Sequence, residues 1–404
     1  MKRIFFTFLL IILIAAIFRA QDPPREWVDP DTGHRVVRLS DEPGSSSFYF
    51  HQNGYTASGD KLVFSTRSGL STYDFKTKKI EQIVEGRAGD VIVGRKSRKV
   101  FYLKGDTVYE TDIDTKATRE ITKDARLRSG SGFAVNADET LLGGSMVTGD
   151  VPKEFRPSGP PPAPSVQPQA SPTPRGDNYP GKGEMMERRL AAKIPMALYT
   201  VNIKTGEVKT FHPATDWLNH VQFSPTDPTL MMFCHEGPWH KVDRIWTIRT
   251  DGSDLKKIHT RTMDMEIAGH EFFGRDGNIY YDLQTPKSKV FWLAEYNVKK
   301  GKMTKYSLEK HEWSVHYNVS PDGKLFAGDG GGPNSVARGD NGQWIYLFRP
   351  ENGKLKAEKL VNMAKHDYRL EPNVTFTPDG KWIVFRSNMF GPTQIYAVEV
   401  KKAG

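Results

Sequence analysis

Short apolar runs alternate with polar residues along most of the chain, and Gly, Pro, Asn or Asp interrupts them every few positions. Such a pattern is typical of β-strands joined by tight turns. No long segment keeps the 3.6-residue apolar period of a capped helix, and the best helix candidate is the short "GEMMERRLAAKIP" from Gly183. The pattern therefore predicts an all-β protein.

One hairpin unit, consisting of a strand, a tight turn and a second strand, recurs seven times. The copies begin at Tyr55, Val93, Val135, Phe223, Phe273, Val319 and Phe376. A second hairpin follows each of the first six copies, and the lone strand "IYAVEV" follows the last. Because two hairpins make a four-stranded blade, the repeat predicts a seven-bladed β-propeller. We expect the N-terminal strand "HRVVRLS", residues 34–40, to pair with the last blade and close the ring, which removes an exposed sheet edge.

One segment interrupts this repeat. From Arg156 to Arg175 the chain reads "RPSGPPPAPSVQPQASPTPR", with too few apolar residues to order itself by burial. We therefore predict a disordered, Pro-rich insertion over residues 156–183 within blade three. The helix candidate that follows it is placed to cap one end of the propeller channel.

The N-terminus resembles a secretory signal. Met1-Lys2-Arg3 precedes an uncharged apolar stretch over residues 4–18 that is short for a membrane span. We predict a signal peptide over residues 1–20 and a single mature domain over residues 21–404, exported to the bacterial periplasm or medium without stable membrane insertion. Phe18 fits the small-residue rule for cleavage after Ala20 poorly, so a retained anchor is the alternative.

Composition narrows the ligand class. The chain has 404 residues, 37% of them hydrophobic and 26% charged, as in soluble globular proteins. Its net charge is +9 without a dominant Lys/Arg block, which favours an acidic small molecule or saccharide over nucleic acid, or reflects solubility alone. The single cysteine, Cys234, excludes an intrachain disulfide framework. Walker, Rossmann and GxSxG motifs are absent from suitable strand–helix contexts. The oligomeric state is not indicated.

Aligning the repeats reveals a polar register near the start of each innermost strand. Its members are Gln52, Asp90, Gly132, His220, His270, His316 and Asn373. Glu371 shares a face with Asn373 because strand side chains alternate. Adjacent blades would bring these groups to one end of the channel, although a strand histidine can also be purely structural. Imidazole, carboxylate and amide groups suit a divalent ion such as manganese or zinc, and one histidine could instead act as a general base.

A second polar cluster lies in "FCHEGPWHKVDRIW", residues 233–246. Gly237-Pro238 is incompatible with the helical HExxH zinc motif. Arg244 could bind a carboxylate and Trp239 could stack on a sugar ring, which would make this a substrate-binding loop. A structural loop is the alternative.

These segments, together with "GHEFFGRDG", "VHYNVSPDG", "PDGKWIVF", "WLNHVQFSP" and "YFHQN", make the chain similar to the oligogalacturonate lyase family over nearly its whole mature length. The resemblance implies a seven-bladed propeller that binds manganese and cleaves short, often unsaturated, galacturonate oligomers by β-elimination. It also implies that His270 is the base, that His316 is a metal ligand, that Arg244 contacts the substrate and supports catalysis, and that His235 and His220 bind substrate.

One segment departs from the family. Where the family has Gln-x-x-His-Pro-His, this chain reads "YRLEPN", so that Glu371 and Asn373 replace two histidines. The export signal is a second departure, since these enzymes typically work inside the cell. Oxygen ligands can still hold a divalent ion, so His316, Glu371 and Asn373 are the predicted ligands. The complete prediction adds His270 and Arg244 as catalytic residues. The predicted substrate-binding residues are His235, His220, Trp239 and Gln52.

The expected function is therefore metal-assisted β-elimination of short galacturonate oligosaccharides. Two alternatives remain: an exported lyase or hydrolase acting on another uronic-acid glycan, and a non-catalytic propeller that binds an oligosaccharide or a protein.

Overall fold

The computed structural model describes residues 22–155, 183–332 and 341–403. The predicted signal peptide lies outside the described residues, and so does the predicted insertion apart from Gly183. The predicted helix is confirmed as α1, Gly183–Ala192. Across the described ranges, no helix has the length and apolar character that a bilayer crossing requires.

The chain is all-β, with 28 strands in six hydrogen-bonded sheets among the described residues. The first half contributes β1 (Glu26–Val28), β2 (His34–Arg38), β3 (Lys61–Ser65), β4 (Gly69–Asp74), β5 (Ile80–Glu85), β6 (Gly89–Val93), β7 (Lys99–Lys104), β8 (Thr107–Asp112), β9 (Thr118–Lys123), β10 (Ser131–Val135), β11 (Leu141–Val147), β12 (Met196–Asn202) and β13 (Val208–Ala214).

The second half continues the same succession of antiparallel hairpins. Its strands are β14 (Trp217–Phe223), β15 (Leu230–Glu236), β16 (Ile245–Arg249), β17 (Lys256–Lys257), β18 (Ile267–Phe273), β19 (Ile279–Gln284), β20 (Phe291–Asn297), β21 (Lys302–Leu308), β22 (Tyr317–Val319), β23 (Phe326–Gly328), β24 (Trp344–Glu351), β25 (Lys354–Asn362), β26 (Thr375–Phe376), β27 (Trp382–Ser387) and β28 (Gln394–Lys402).

The sheets follow the repeat. Strands β3–β5 form a three-stranded sheet, and β6–β9, β10–β13 and β14–β17 each form a four-stranded sheet in chain order. Strands β18–β21 and β22–β25 make two further runs of four, joined by one parallel bridge between Ser307 and Lys354. The last sheet combines β26–β28 with β2 and β1.

The N-terminal strands share a sheet with the C-terminal strand. β2 pairs antiparallel with β28, and Val36 lies opposite Val398. The segment "HRVVRLS" therefore provides the strand expected beside the last repeat. The structure adds β1 outside it, with Trp27 opposite Val36, and the sequence pattern did not predict this fifth strand.

Successive sheets pack against each other through their apolar faces. One cluster joins Val63 of the first sheet to Val100 of the second, and another joins Leu62 to Ile395 of the last sheet. All four side chains are buried. Each such side chain stabilises the fold by roughly 1.5–3 kcal/mol relative to an exposed one. Because sheets are covered on both faces, many strands are apolar without strict alternation.

Candidate active site

Five of the seven register positions share one backbone conformation. Asp90, Gly132, His220, His270 and Asn373 have left-handed φ angles of 47°, 80°, 49°, 45° and 55°. In β6, β10, β14 and β18, the pairing with the next strand shifts at this position, as in a β-bulge. Bulges redirect side chains and are common beside active sites. The register predicted from sequence therefore has a common structural basis in most repeats.

His270 is held by a carboxylate from the neighbouring strand. Its Nδ1 lies 2.9 Å from Oδ1 of Asp282 on β19, and both side chains are largely buried. Burial lowers the pKa of His270, but the charge and the hydrogen bond of Asp282 outweigh this and raise the pKa above its ordinary value. Nε2 makes no hydrogen bond to a described residue. The arrangement leaves one basic ring nitrogen available, as a general base requires.

His316 has the same kind of partner. Its Nδ1 lies 2.7 Å from Oδ2 of Asp329, and its backbone N–H donates to Oδ1 of that residue at 2.8 Å. Nε2 is 3.3 Å from the hydroxyl of Tyr49 and 3.8 Å from Oε2 of Glu371. The His316 and His270 rings are adjacent, with centroids 4.8 Å apart. Two histidine–aspartate pairs thus meet in one cluster.

A segment before the first repeat reaches into this cluster. The ring of Tyr49 lies 5.6 Å from that of His220, and the ring of Phe50 lies 4.7 Å from that of His316. Next to them, burial lowers the pKa of His51 to about 3, which keeps this imidazole neutral. The sequence prediction selected Gln52 here and missed these three residues. The signal available was the run of four consecutive aromatic or imidazole side chains over residues 48–51.

Arg244 is buried in a pair of carboxylates. Nη1 donates to Oε1 of Glu236 at 2.9 Å, and Nη2 donates to Oε2 of Glu271 at 3.4 Å. Burial lowers the pKa of Arg244, but the two glutamates outweigh burial and hold the pKa above its ordinary value. The guanidinium charge is therefore already compensated by residues that the sequence prediction did not assign to the site.

Trp239 bridges Arg244 and His270. The guanidinium carbon lies 4.5 Å from the centre of the indole, whose edge packs on the His270 ring at 5.0 Å between centroids. The indole N–H donates to Glu236 at 3.2 Å. Gly269 permits this packing, since a Cβ there would lie 2.7 Å from the indole ring. The structure brings Trp239 to the predicted base.

His220 lies between the same glutamates. Its Nε2 is 3.7 Å from Glu236 and its Nδ1 is 3.8 Å from Glu271. Together with Cys234 and Glu236, it forms the one group of three His, Cys, Asp or Glu side chains within the described ranges whose ligand atoms are close enough for a shared ion. The Arg244 guanidinium already bonds to this group, and burial raises the pKa of the Cys234 thiol. We therefore interpret it as a buried ion-pair network.

His235 and Gln52 have other neighbours. The ring of His235 stacks on Trp246 at 5.0 Å, and its Nδ1 is 3.7 Å from Asp216. Neighbouring residues of a strand point to opposite faces, so it is Glu236 and not His235 that faces Arg244. Gln52 accepts the backbone N–H of Tyr49 at 3.2 Å, within its own segment.

The predicted metal ligands are only partly arranged for an ion. Asn373 is fully buried, and its Oδ1 accepts the backbone N–H of Phe50 while Nδ2 donates to the backbone oxygen of Glu371. Asn373 therefore connects the segment of Phe50 to that of Glu371, and its side-chain oxygen is not available as a metal ligand. Glu371, by contrast, is half-exposed and close to His316 Nε2, and Asp329 orients that imidazole as carboxylates orient metal-bound histidines. His316 and Glu371 therefore fit a divalent ion, and Asn373 does not in this hydrogen-bonding state.

Comparison with known proteins identifies relatives over the whole fold. A family model described as oligogalacturonate lyase matches residues 188–403. The chain is 26% identical to an oligogalacturonate lyase of Dickeya dadantii, covering 93% of this chain and 95% of the relative. It is also 26% identical to an oligogalacturonide lyase of Pectobacterium atrosepticum, with the same coverage of both chains.

Solved structures agree on the architecture. An oligogalacturonate lyase in complex with manganese matches with a TM-score of 0.75 at 24% identity, covering 93% of this chain and 96% of that one. An oligogalacturonate lyase from Vibrio parahaemolyticus matches with the same TM-score and coverage at 23% identity. The fold is thus that of an all-β protein built like these two. With the family model matching just over half of its residues, the chain belongs to the oligogalacturonate lyase family.

Proposed function

We propose that this protein is a lyase that cleaves short galacturonate oligosaccharides by β-elimination. The observation that carries the proposal is the His270–Asp282 pair, whose free Nε2 lies within the site cluster. The family to which the chain belongs, and the names of its relatives from Dickeya and Pectobacterium, support the same activity.

The proposed reaction begins at C5 of a uronate, where the proton is acidified by the adjacent carboxylate. Nε2 of His270 accepts that proton, while Asp282 stabilises the imidazolium that forms. The electron pair of the C5–H bond becomes the C4–C5 double bond, and the C4–O4 bond breaks. The O4 oxygen takes a proton from solvent, and His270 returns its proton to solvent after the products leave.

Charge neutralisation of the substrate carboxylate lowers the barrier to this proton transfer. His316 and Glu371 are the residues that would hold a divalent ion, and manganese is favoured because one of the similar lyase structures is a complex with manganese. When bound, such an ion supplies a Lewis acid for the uronate carboxylate. Arg244 is buried and held by Glu236 and Glu271, so we propose that it supports the site by packing on Trp239 beside the base.

We further propose that the sheets form a seven-bladed propeller, closed where β2 pairs with β28. The pairing itself and the apolar cluster that joins Leu62 to Ile395 support this arrangement. In such a ring the bulged inner strands surround the site at one end of the channel. Export to the periplasm or medium is proposed from the N-terminal sequence alone.

The test is incubation of the protein with digalacturonate and trigalacturonate, with and without manganese, while the ultraviolet absorbance of the unsaturated uronide is recorded. We expect product to accumulate with wild type and not with His270→Ala. His311→Ala is the matched control, since that imidazole is exposed. No turnover of any uronide, combined with equal sugar binding by wild type and His270→Ala, would indicate the alternative of a non-catalytic oligosaccharide-binding protein.

A further inference from the structure

A second arginine lies beside the site without a carboxylate partner. Arg386 is on β27, and its backbone N–H donates to the backbone oxygen of Pro372, next to the segment that carries Glu371. Its Nε donates to the backbone oxygen of Glu371 at 2.7 Å, and Nη1 donates to the hydroxyl of Ser46 at 2.8 Å. These contacts place the guanidinium between the 46–47 segment and the predicted metal side of the site.

The charge of Arg386 is only partly compensated within the described part of the chain, because Glu371 and Asp329 attract it from beyond ion-pair distance. Its hydrogen bonds go to neutral oxygens, it makes no ion pair there, and Nη2 has no hydrogen-bond partner. The nearby carboxylate of Glu371 approaches His316 instead. Arg244 differs in this respect, because two buried glutamates already neutralise it. Arg369 also differs, because Asp367 pairs with it.

A guanidinium without an ion-pair partner in a half-buried position favours an anionic ligand. Separating a buried cation from any counter-charge costs free energy, which a bound anion recovers. A hydrogen bond between a guanidinium and a carboxylate is also stronger than one between neutral groups. A ligand carboxylate reaches the open Nη2 of Arg386 without displacing a protein carboxylate, whereas Arg244 must first release one.

We propose that Arg386 is a carboxylate anchor that selects uronates over their neutral counterparts at the Glu371 side of the site. This inference rests on the proposed function for the identity of the ligand, a hexuronate unit of the oligosaccharide. The hydroxyl of Tyr49, which is 3.3 Å from Nε2 of His316, lies near the same position and is a further polar group for the sugar. The anchor fixes the carboxylate, and thereby the ring, relative to the base His270.

The experiment compares an acid with its ester. Binding of trigalacturonate and of its fully methyl-esterified form is measured by titration calorimetry in the His270→Ala protein, where the ligand stays intact, without added metal and again with manganese. We expect Arg386→Gln to weaken binding of the acid about 10- to 100-fold and to leave binding of the ester within about twofold. Arg386→Lys keeps the charge and should lose less.

Arg369→Gln is the matched control, since Arg369 belongs to the same segment but is paired, and it should bind both ligands like the parent protein. Unchanged binding of the acid by Arg386→Gln would overturn the inference. So would an equal loss for acid and ester, which would indicate that Arg386 only ties Ser46 to Glu371. These outcomes leave the proposed function intact. Failure of the parent protein to bind or cleave any uronide would overturn the proposed function and this inference with it.

Discussion

Replacing Asp282 by asparagine tests the assignment of His270 as the base. The substitution keeps the size of the side chain and removes the charge that faces His270 Nδ1 across 2.9 Å. An asparagine amide can also donate to Nδ1, which would place the proton on Nε2 and leave no basic nitrogen for the substrate. Burial, which lowers the pKa of His270, would then act without the opposing effect of Asp282.

The size of the effect follows from this contact. A hydrogen bond to a charged group contributes about 1.5–3 kcal/mol, and it is strongest when His270 becomes an imidazolium in the transition state. Its loss corresponds to roughly a 10- to 150-fold decrease in kcat. If the wrong tautomer prevails, the decrease extends toward the upper limit of about four decades for general-base catalysis.

The assay is the pH dependence of kcat/KM for trigalacturonate. Wild type needs neutral His270, so its activity should rise with pH through a pKa above the ordinary histidine value, and the rise in Asp282→Asn should occur at lower pH. Stability gives a second readout. A raised pKa in the folded chain stabilises it below the ordinary pKa, and this contribution disappears as pH rises through the raised value. Asp254→Asn, an exposed carboxylate, is the control. A variant with unchanged kcat and an unchanged profile would refute the reasoning.

Four further substitutions test the surrounding structure. Glu236→Ala leaves Arg244 with one partner, and denaturant unfolding should show a loss of about 3–5 kcal/mol, whereas a loss under about 1 kcal/mol would mean that the pair is not buried. Gly269→Ala forces the Trp239 indole to move, so thermal denaturation should reveal a cost of about 1–3 kcal/mol and KM should rise; an unchanged Tm would contradict the packing. Asn373→Ala should lower the unfolding free energy by about 1–3 kcal/mol yet retain manganese binding in calorimetry, while His316→Ala should abolish it; the reverse order would make Asn373 a ligand.

The alignment of the repeats was sufficient to select His270, His316 and His220. Each repeat is a strand–turn–strand unit, so the distance of a residue from the turn in the sequence indicates its position along the innermost strand. Their partners were not predictable in the same way. Asp282 lies 12 residues after His270, and Asp329 lies 13 residues after His316, on the next strand or directly after it. Only the antiparallel pairing of the strands brings these carboxylates to Nδ1 of the histidines. The position of the bulge decides which residue of the second strand lies opposite each histidine.

The faces of single strands explain the remaining differences. His235 was selected because histidines often bind substrates or metals, but its neighbour Glu236 is the residue that forms the ion pair with Arg244. Glu371 and Asn373 were expected to act together because they are two positions apart. Both residues lie before β26, where strand alternation does not apply, and Asn373 has a left-handed φ of 55°; one side chain is exposed and the other buried. The segment with Tyr49 lies outside the repeats, so the repeat pattern could not predict that it enters the site.

The left-handed bulge also restricts what evolution can place around the site. β-Branched and bulky residues are strained at positive φ, whereas Gly, Asn, Asp and His tolerate it better. The four residues at the bulges, Asp90, Gly132, His220 and His270, all come from this short set, and so does Asn373, which has a left-handed φ just before β26. Exchange among these four residue types could convert a base into an amide or a carboxylate while the backbone stays unchanged, so chemical diversity within this fold should arise by swapping side chains at these bulges before any strand is rebuilt.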